Sequence, residues 1–320
     1  MIFNPLCLIW QFCYKESVKK VALIFGPTAS GKTDLAVKLA KEFGGEVISC
    51  DSQQIYRELF IGTARPTEKE MNGIPHHLLG HVSIREKYNV ARYLDDVGIA
   101  IDGVLSSGKL PIVCGGSYMW LMMMIDGISK TPEGDSELRI KLENEAREKG
   151  LEALYARLQA VDPVSASKIK PTDLKRIVRA LEIYELSGKT QSELFSEREP
   201  LPYDFIKIAI TRPREELYER INRRTDEMVS AGLLDEIKAA IESGLEADVL
   251  RVMSHGYPFL IDYFHGRTTL EKALSDMKLV TRHYAKRQMT FIRSRQDFTV
   301  FDARNFDGIC SFIHTKLLDK

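Results

Sequence analysis

The chain has few cysteines and no obvious way to pair them. Its five (Cys7, Cys13, Cys50, Cys114 and Cys310) are odd in number and widely scattered, and no two have C-x-x-C spacing. Neither a disulfide framework nor a zinc site is therefore expected, and a reducing cytoplasm fits. There is no charge surplus either. The 45 Lys and Arg balance the 45 Asp and Glu, so bulk charge argues neither for nor against a nucleic-acid partner, and the placement of charge carries the information. No internal repeat or low-complexity stretch is present. The apolar, aromatic segment Met1 to Tyr14 is too short to cross a bilayer, and it lacks the basic region and cleavage site of a signal peptide. It reads as part of a non-essential N-terminal extension, residues 1–18, with the folded chain beginning near Lys19. A weak membrane or packing segment is the alternative reading of this stretch; no membrane partner is expected.

The strongest positive signal is Gly26-Pro27-Thr28-Ala29-Ser30-Gly31-Lys32-Thr33, which matches G-x-x-x-x-G-K-[ST]. Its context is the required one. An apolar run, Val21 to Phe25, precedes it as a strand would, and Leu35, Ala36, Leu39 and Ala40 follow at helical spacing. Glycines let the backbone curl so that successive N–H groups face an anion, and the helix N-terminus adds its positive end. Lys32 then reaches terminal phosphate oxygens and the Thr33 hydroxyl holds Mg²⁺. The loop specifies a diphosphate or triphosphate without saying which. A nucleotide is the ordinary occupant, and a P-loop small-molecule kinase is the alternative reading.

Strands and helices alternate along the chain. Glu46 to Cys50 reads as a strand ending at Asp51. A helix from about Ala91 to Ser107 leads into a strand Leu110 to Cys114, closed by Gly115-Gly116-Ser117, and Phe205 to Ile210 is a further strand. Such alternation predicts a parallel sheet with helices on both faces and a ligand at the strands' carboxyl ends, where Gly26, Asp51 and Gly115-Gly116 all fall. Between Thr131 and Pro202 the pattern is nearly all helical, with Leu138, Leu142, Leu151, Leu154 and Leu158 at helical spacing. The fold class is α/β: a P-loop-type parallel-sheet core, residues 19–130 and 203–320, carrying an inserted all-helical domain, residues 131–202.

Asp51-Ser52-Gln53-Gln54 is the second informative stretch. A carboxylate beside a phosphate loop either holds Mg²⁺ through water or takes a proton from an attacking nucleophile. Two neighbouring amides suit the reading of base edges; an ordinary polar loop after a strand is the plain alternative. His76-His77 suggests a metal at first sight, but adjacent histidines on one element face apart, which favours a structural role.

With these residues in view the chain resembles the tRNA dimethylallyltransferase family, which prenylates the exocyclic N6 of the adenine just 3′ of the anticodon. The matching motifs are Gly26–Thr33, Asp51-Ser52-Gln53-Gln54-Ile55-Tyr56, Ile61-Gly62-Thr63-Ala64-Arg65-Pro66, Pro75-His76-His77-Leu78-Leu79 and Gly115-Gly116-Ser117-Tyr118. Further along come Asp162-Pro163, Arg176 with Arg179-Ala180-Leu181-Glu182, Gly256-Tyr257 and Ala285-Lys286-Arg287-Gln288. Four departures stand out: Gly80 replaces an acidic residue, Ser117 stands where threonine is usual while keeping the hydroxyl, Met253-Ser254-His255 lacks the customary basic residue, and Phe259 stands where the longer bacterial forms often carry Glu or Gln.

The resemblance implies that the loop cradles dimethylallyl diphosphate in place of a nucleotide; no purine-binding pattern or arginine lid is evident. It further implies that Arg224 and Thr28 act on the leaving diphosphate and that Asp51 is the base. The partner is tRNA, through its anticodon stem-loop, met by Asp51, Ser52, Gln53, Gln54 and Ser117. Backbone cations are expected from Arg139, Lys175, Arg176 and Arg179 on the insert. Others are expected from Arg282, Lys286 and Arg293, which share a helical face in an 18-residue stretch without an acidic residue, Lys278 to Arg295. A cytoplasmic monomer is expected.

Overall fold

The computed structural model describes residues 19–253 and 255–319; the N-terminal extension therefore lies outside the described residues. Six strands form one sheet: β1 (Lys20–Phe25), β2 (Glu46–Cys50), β3 (His76–His77), β4 (Pro111–Gly115), β5 (Asp204–Thr211) and β6 (Thr299–Asp302), in the order β3-β2-β4-β1-β5-β6. Every pairing is parallel. A parallel sheet covered on both faces needs strands that are apolar on both sides, and Val21 through Phe25 are all fully buried.

Register sets the site. Phe25 pairs with Gly115, and Gly115 pairs in turn with Cys50. The residues that follow, Gly26, Asp51 and Gly116, therefore leave the sheet together at its carboxyl edge. Gly115 permits this packing, because a Cβ there would sit 1.9 Å from the Cys50 carbonyl oxygen. The expected strands and the helix Val90–Ser106 fall within a residue of their sequence-based bounds. The two edge strands were not foreseen: β3 has only two residues, and Thr299 and Val300 of β6 are exposed, so neither shows a buried periodic pattern.

The described chain divides into two compact units, one of residues up to Met122 and from Pro202 onward, the other Met123–Leu201. The second is a helical unit with its own core of Leu142, Leu154, Leu158, Ile177 and Leu181. Asp162 ends one helix and caps the next: its carboxylate accepts the Ser165 and Ser192 backbone N–H groups, both at 2.9 Å. Glu182, wholly buried, accepts from Arg139 Nε at 2.9 Å, Arg179 Nη1 at 2.6 Å and the Asp135 N–H at 2.7 Å. An antiparallel bridge between Ile128 and Glu199 ties the two ends of the unit together.

Candidate active site

The phosphate loop joins β1 to the helix Lys32–Phe43. Gly31 adopts φ +94 and Ala29 φ +63, both left-handed, and the alanine is held there from outside. Arg220 Nε donates to the Ala29 carbonyl and Arg212 Nε to the Ser30 carbonyl, each at 2.7 Å. Two of the loop's backbone N–H groups are already bonded within the protein: that of Ser30 donates to the Pro27 carbonyl at 3.2 Å and that of Thr28 to Gln288 Oε1 at 2.9 Å. Gln288, 1% exposed, also donates to the Gly116 carbonyl at 2.8 Å, so a single side chain from the long helix Leu270–Ser294 joins the two glycine turns.

A cavity of about 340 Å³ opens beside the loop. Lys32, Thr33, Asp51 and Arg224 line its polar part, and Thr28, Ser52, Gln53, Gln54 and Ser117 also border it. Apolar and aromatic side chains, among them Trp120, Met228, Met277 and Tyr284, complete the wall. Burial lowers the pKa of Lys32, an effect partly offset by Cys114 and Asp51 and deepened by Arg224. Burial likewise works against the charge on Arg224, while Asp51 supports it. Two desolvated cations facing one carboxylate make a site that demands an anion. The Cys114 thiol, pushed up to about 12 by burial, stays neutral.

Asp51 leaves β2 in a tight turn, its Oδ1 accepting the N–H of Gln53 at 2.9 Å. Ser117 Oγ accepts the Ser52 N–H at 2.8 Å and donates to Ser52 Oγ at 3.2 Å, so the hydroxyl, serine in place of threonine, joins the ends of β2 and β4. The two amides differ. Gln53 Nε2 lies 3.5 Å from His255 Nδ1 at the cavity wall. Gln54 Nε2 donates instead to the carbonyls of Ala64 at 2.9 Å and Thr63 at 3.4 Å, which makes it a brace for the 63–64 turn. Residues 77 and 76 have structural partners: His77 Nε2 meets Glu46 Oε2 at 2.6 Å and His76 Nδ1 lies 2.9 Å from the Ile74 carbonyl.

The expected cationic residues are distributed unevenly. Lys175, Arg176 and Arg139 are exposed; Arg139 and the half-buried Arg179 also pair with the buried Glu182, and Arg179 donates to Pro132 O at 2.8 Å. On the long helix Lys286 and Arg293 are exposed, whereas Arg282 donates to Asn222 Oδ1 at 2.7 Å. Residues that sequence reasoning left without a role include Arg212, Gln288, Tyr284 and His255. The His255 ring packs on Tyr284 with centroids 4.5 Å apart, and burial, with Arg287 nearby, lowers its pKa to about 4.

Among the described residues no three His, Cys, Asp or Glu side chains cluster as a metal site. The oxygens present, the Thr33 hydroxyl and the Asp51 carboxylate, suit a hard cation that draws its other ligands from a bound diphosphate and water, as Mg²⁺ does.

A parallel α/β sheet with a phosphate-loop motif and an anion-seeking, partly apolar cavity at its carboxyl edge defines the class, an α/β protein of P-loop type. The family is narrower. Residues 54–295 match the model for IPP transferase. The tRNA dimethylallyltransferase of Alkaliphilus oremlandii is 40% identical over 292 residues, 91% of this chain and 93% of the relative. The full-length tRNA isopentenylpyrophosphate transferase of Bacillus halodurans superposes with a TM-score of 0.70 at 37% identity, over 93% of this chain and 97% of that one. A eukaryotic dimethylallyltransferase acting on tRNA gives 0.76 at 31% identity, over 94% and 77%. The chain belongs to the IPP transferase family.

Proposed function

We propose that the protein transfers the dimethylallyl group of dimethylallyl diphosphate to N6 of the adenine 3′ of a tRNA anticodon, releasing pyrophosphate. The observation that carries this reading is the single cavity in which Lys32, Thr33, Arg224 and Asp51 meet an aromatic and methionine-lined wall. A diphosphate with a short branched hydrocarbon tail needs both halves.

Breaking the C1–O bond puts positive charge on the allylic carbon and negative charge on the leaving pyrophosphate. Lys32, Arg224 and the loop N–H groups are the donors that meet the departing oxygens, and each such donor is worth about 10²–10³ in rate. The Thr33 hydroxyl, with Asp51 beside it, would hold Mg²⁺, which would supply Lewis-acid neutralisation of that charge. Thr28, fixed through its N–H by Gln288, borders the leaving oxygens. Tyr284, whose hydroxyl donates to the Gly116 carbonyl at 3.0 Å, forms part of the wall beside the tail. Adenine N6 is a weak nucleophile because its lone pair is delocalised into the ring; as the N6–C1 bond forms, the N6 proton passes to Asp51.

The adenine reaches this depth only when flipped from its stack. The tRNA backbone is met by the exposed Lys175, Arg176, Lys286 and Arg293, and the reaction belongs in the cytoplasm, where tRNA is. Among the described residues no helix is long and apolar enough to cross a membrane. Thermal denaturation tests the ligand: dimethylallyl diphosphate or pyrophosphate with Mg²⁺ should raise the melting temperature more than ATP at equal concentration. A larger shift with ATP would contradict this reading and favour a kinase.

A further inference from the structure

Glu236, on the helix Leu233–Glu242, gathers an unusual set of donors. Its carboxylate accepts three consecutive backbone N–H groups, Phe60 at 2.6 Å, Ile61 at 2.7 Å and Gly62 at 3.0 Å, and the Tyr257 hydroxyl at 2.6 Å. Hydrogen bonds to an ionised acceptor are the strong ones. Arg65, stacked 4.7 Å from the Phe60 ring, is the nearby cation that interacts with this carboxylate. No side chain fits between the partners: a Cβ on Gly62 would lie 2.5 Å from the Tyr257 ring. The segment 60–62 is therefore fixed by a carboxylate about 175 residues away in sequence.

What the segment carries lies in the cavity. Residues 63 and 64 line it, Ala64 adopts φ +53, and its carbonyl accepts from Gln54 Nε2 at 2.9 Å and Arg224 Nη2 at 3.4 Å. A non-glycine residue in the left-handed region persists only where its surroundings hold it. The clamp at Glu236 supplies that hold one turn away. We infer that Glu236 is a positioning residue for prenyl transfer, acting through the 60–64 segment and the Ala64 carbonyl to fix the guanidinium of Arg224 against the leaving diphosphate. Neither Glu236 nor Tyr257 touches the reacting atoms. The inference rests on the role proposed above for Arg224.

The test is a double-variant cycle on the full chain, read as single-turnover prenyl transfer to tRNA, with melting temperature measured for each variant. Glu236→Gln keeps the volume but turns one acceptor into a donor facing the backbone N–H groups. It should lower the transfer rate about tenfold or more and leave KM for tRNA within about twofold, because Arg224 stabilises charge present only in the transition state. Arg224→Gln alone should lower the rate by about 10²–10³. In that background Glu236→Gln should cost less than about a further twofold, since residues acting as one unit are not additive. Tyr257→Phe, which removes one of the four hydrogen bonds, should give a smaller loss with the same non-additivity, and it decides the question if Glu236→Gln does not fold. Full additivity in either cycle, or an undiminished rate in a folded Glu236→Gln, would overturn the inference. A wild-type protein that transfers no prenyl group would instead overturn the proposed function, and that result is seen before any variant is made.

Discussion

Replacing Lys32 by Met separates binding from folding. The Lys32 ammonium sits in the cavity wall with a long 3.4 Å contact to the Pro27 carbonyl, and its surroundings disfavour its charge, burial first. Removing that charge from the ligand-free protein should therefore cost no stability, and the melting temperature should stay level or rise, as at other functional sites where a destabilised charge is maintained for use. Ligand response should collapse. For the wild type, pyrophosphate at a hundred times Kd contributes about 2.7 kcal/mol. Loss of a desolvated cation that weakens Kd about a hundredfold leaves only about 0.4 kcal/mol at the same concentration. With an unfolding entropy of about 2.1 cal/mol/K per residue, the wild-type shift is about 4 °C and the variant's under about 1 °C. Differential scanning calorimetry with and without Mg²⁺-pyrophosphate reads both. A large drop in the ligand-free melting temperature with an intact pyrophosphate shift would refute the reasoning, because Lys32 would then be a structural residue.

Other predictions follow from the same geometry. Asp51→Asn keeps the turn that accepts the Gln53 N–H but removes the base, so tRNA affinity should change little while turnover falls about 10²–10⁴; near-normal turnover would mean that another group takes the proton. His255 is held neutral down to about pH 4, whereas in the unfolded chain it protonates near 6.5. Between those values the unfolded state binds the extra proton, so stability falls as pH drops from about 6.5 toward 4. His255→Gln should flatten that part of the stability–pH curve, which denaturant titrations at several pH values would measure. Replacing Lys286 and Arg293 by Gln should weaken tRNA binding and reduce the log–log salt slope by roughly 0.7–0.9 per phosphate contact, with dimethylallyl diphosphate binding intact. Adding Arg282→Gln should also cost some stability, because Arg282 holds Asn222. An unchanged slope would remove this helix from the tRNA surface.

Where local chemistry dictated geometry, the sequence was a good guide. The strand–loop–helix around Gly26–Thr33 and the placement of Asp51 and Gly116 at one sheet edge follow from period and glycine position alone, and the register of β1, β2 and β4 puts them there. The short edge strands β3 and β6 carry too few buried residues to announce themselves. Side-chain duties set by distant partners were not legible. Gln54 resembles a base-reading amide in sequence and lines the cavity, and its Nε2 also braces residues 63 and 64, a duty no local pattern shows. Arg139 and Arg179 have the spacing of a cationic surface, and both also pair with a carboxylate buried on the same unit, a partner the sequence does not announce. Gln288 lies in a recognisable motif, while its work, holding Thr28 from 260 residues away, appears only in three dimensions. Glu236 gave no signal, since a carboxylate on an amphipathic helix is ordinarily solvated surface.

The central claim is tested most directly by incubating the purified protein with unmodified tRNA, dimethylallyl diphosphate and Mg²⁺, then digesting the tRNA and resolving its nucleosides by mass spectrometry. The account predicts one dimethylallyl group on N6 of the adenosine 3′ of the anticodon, with one pyrophosphate released per group transferred and none formed by Asp51→Asn above a small residue. Unmodified adenosine beside consumption of ATP, or a prenyl group on a different base, would contradict it.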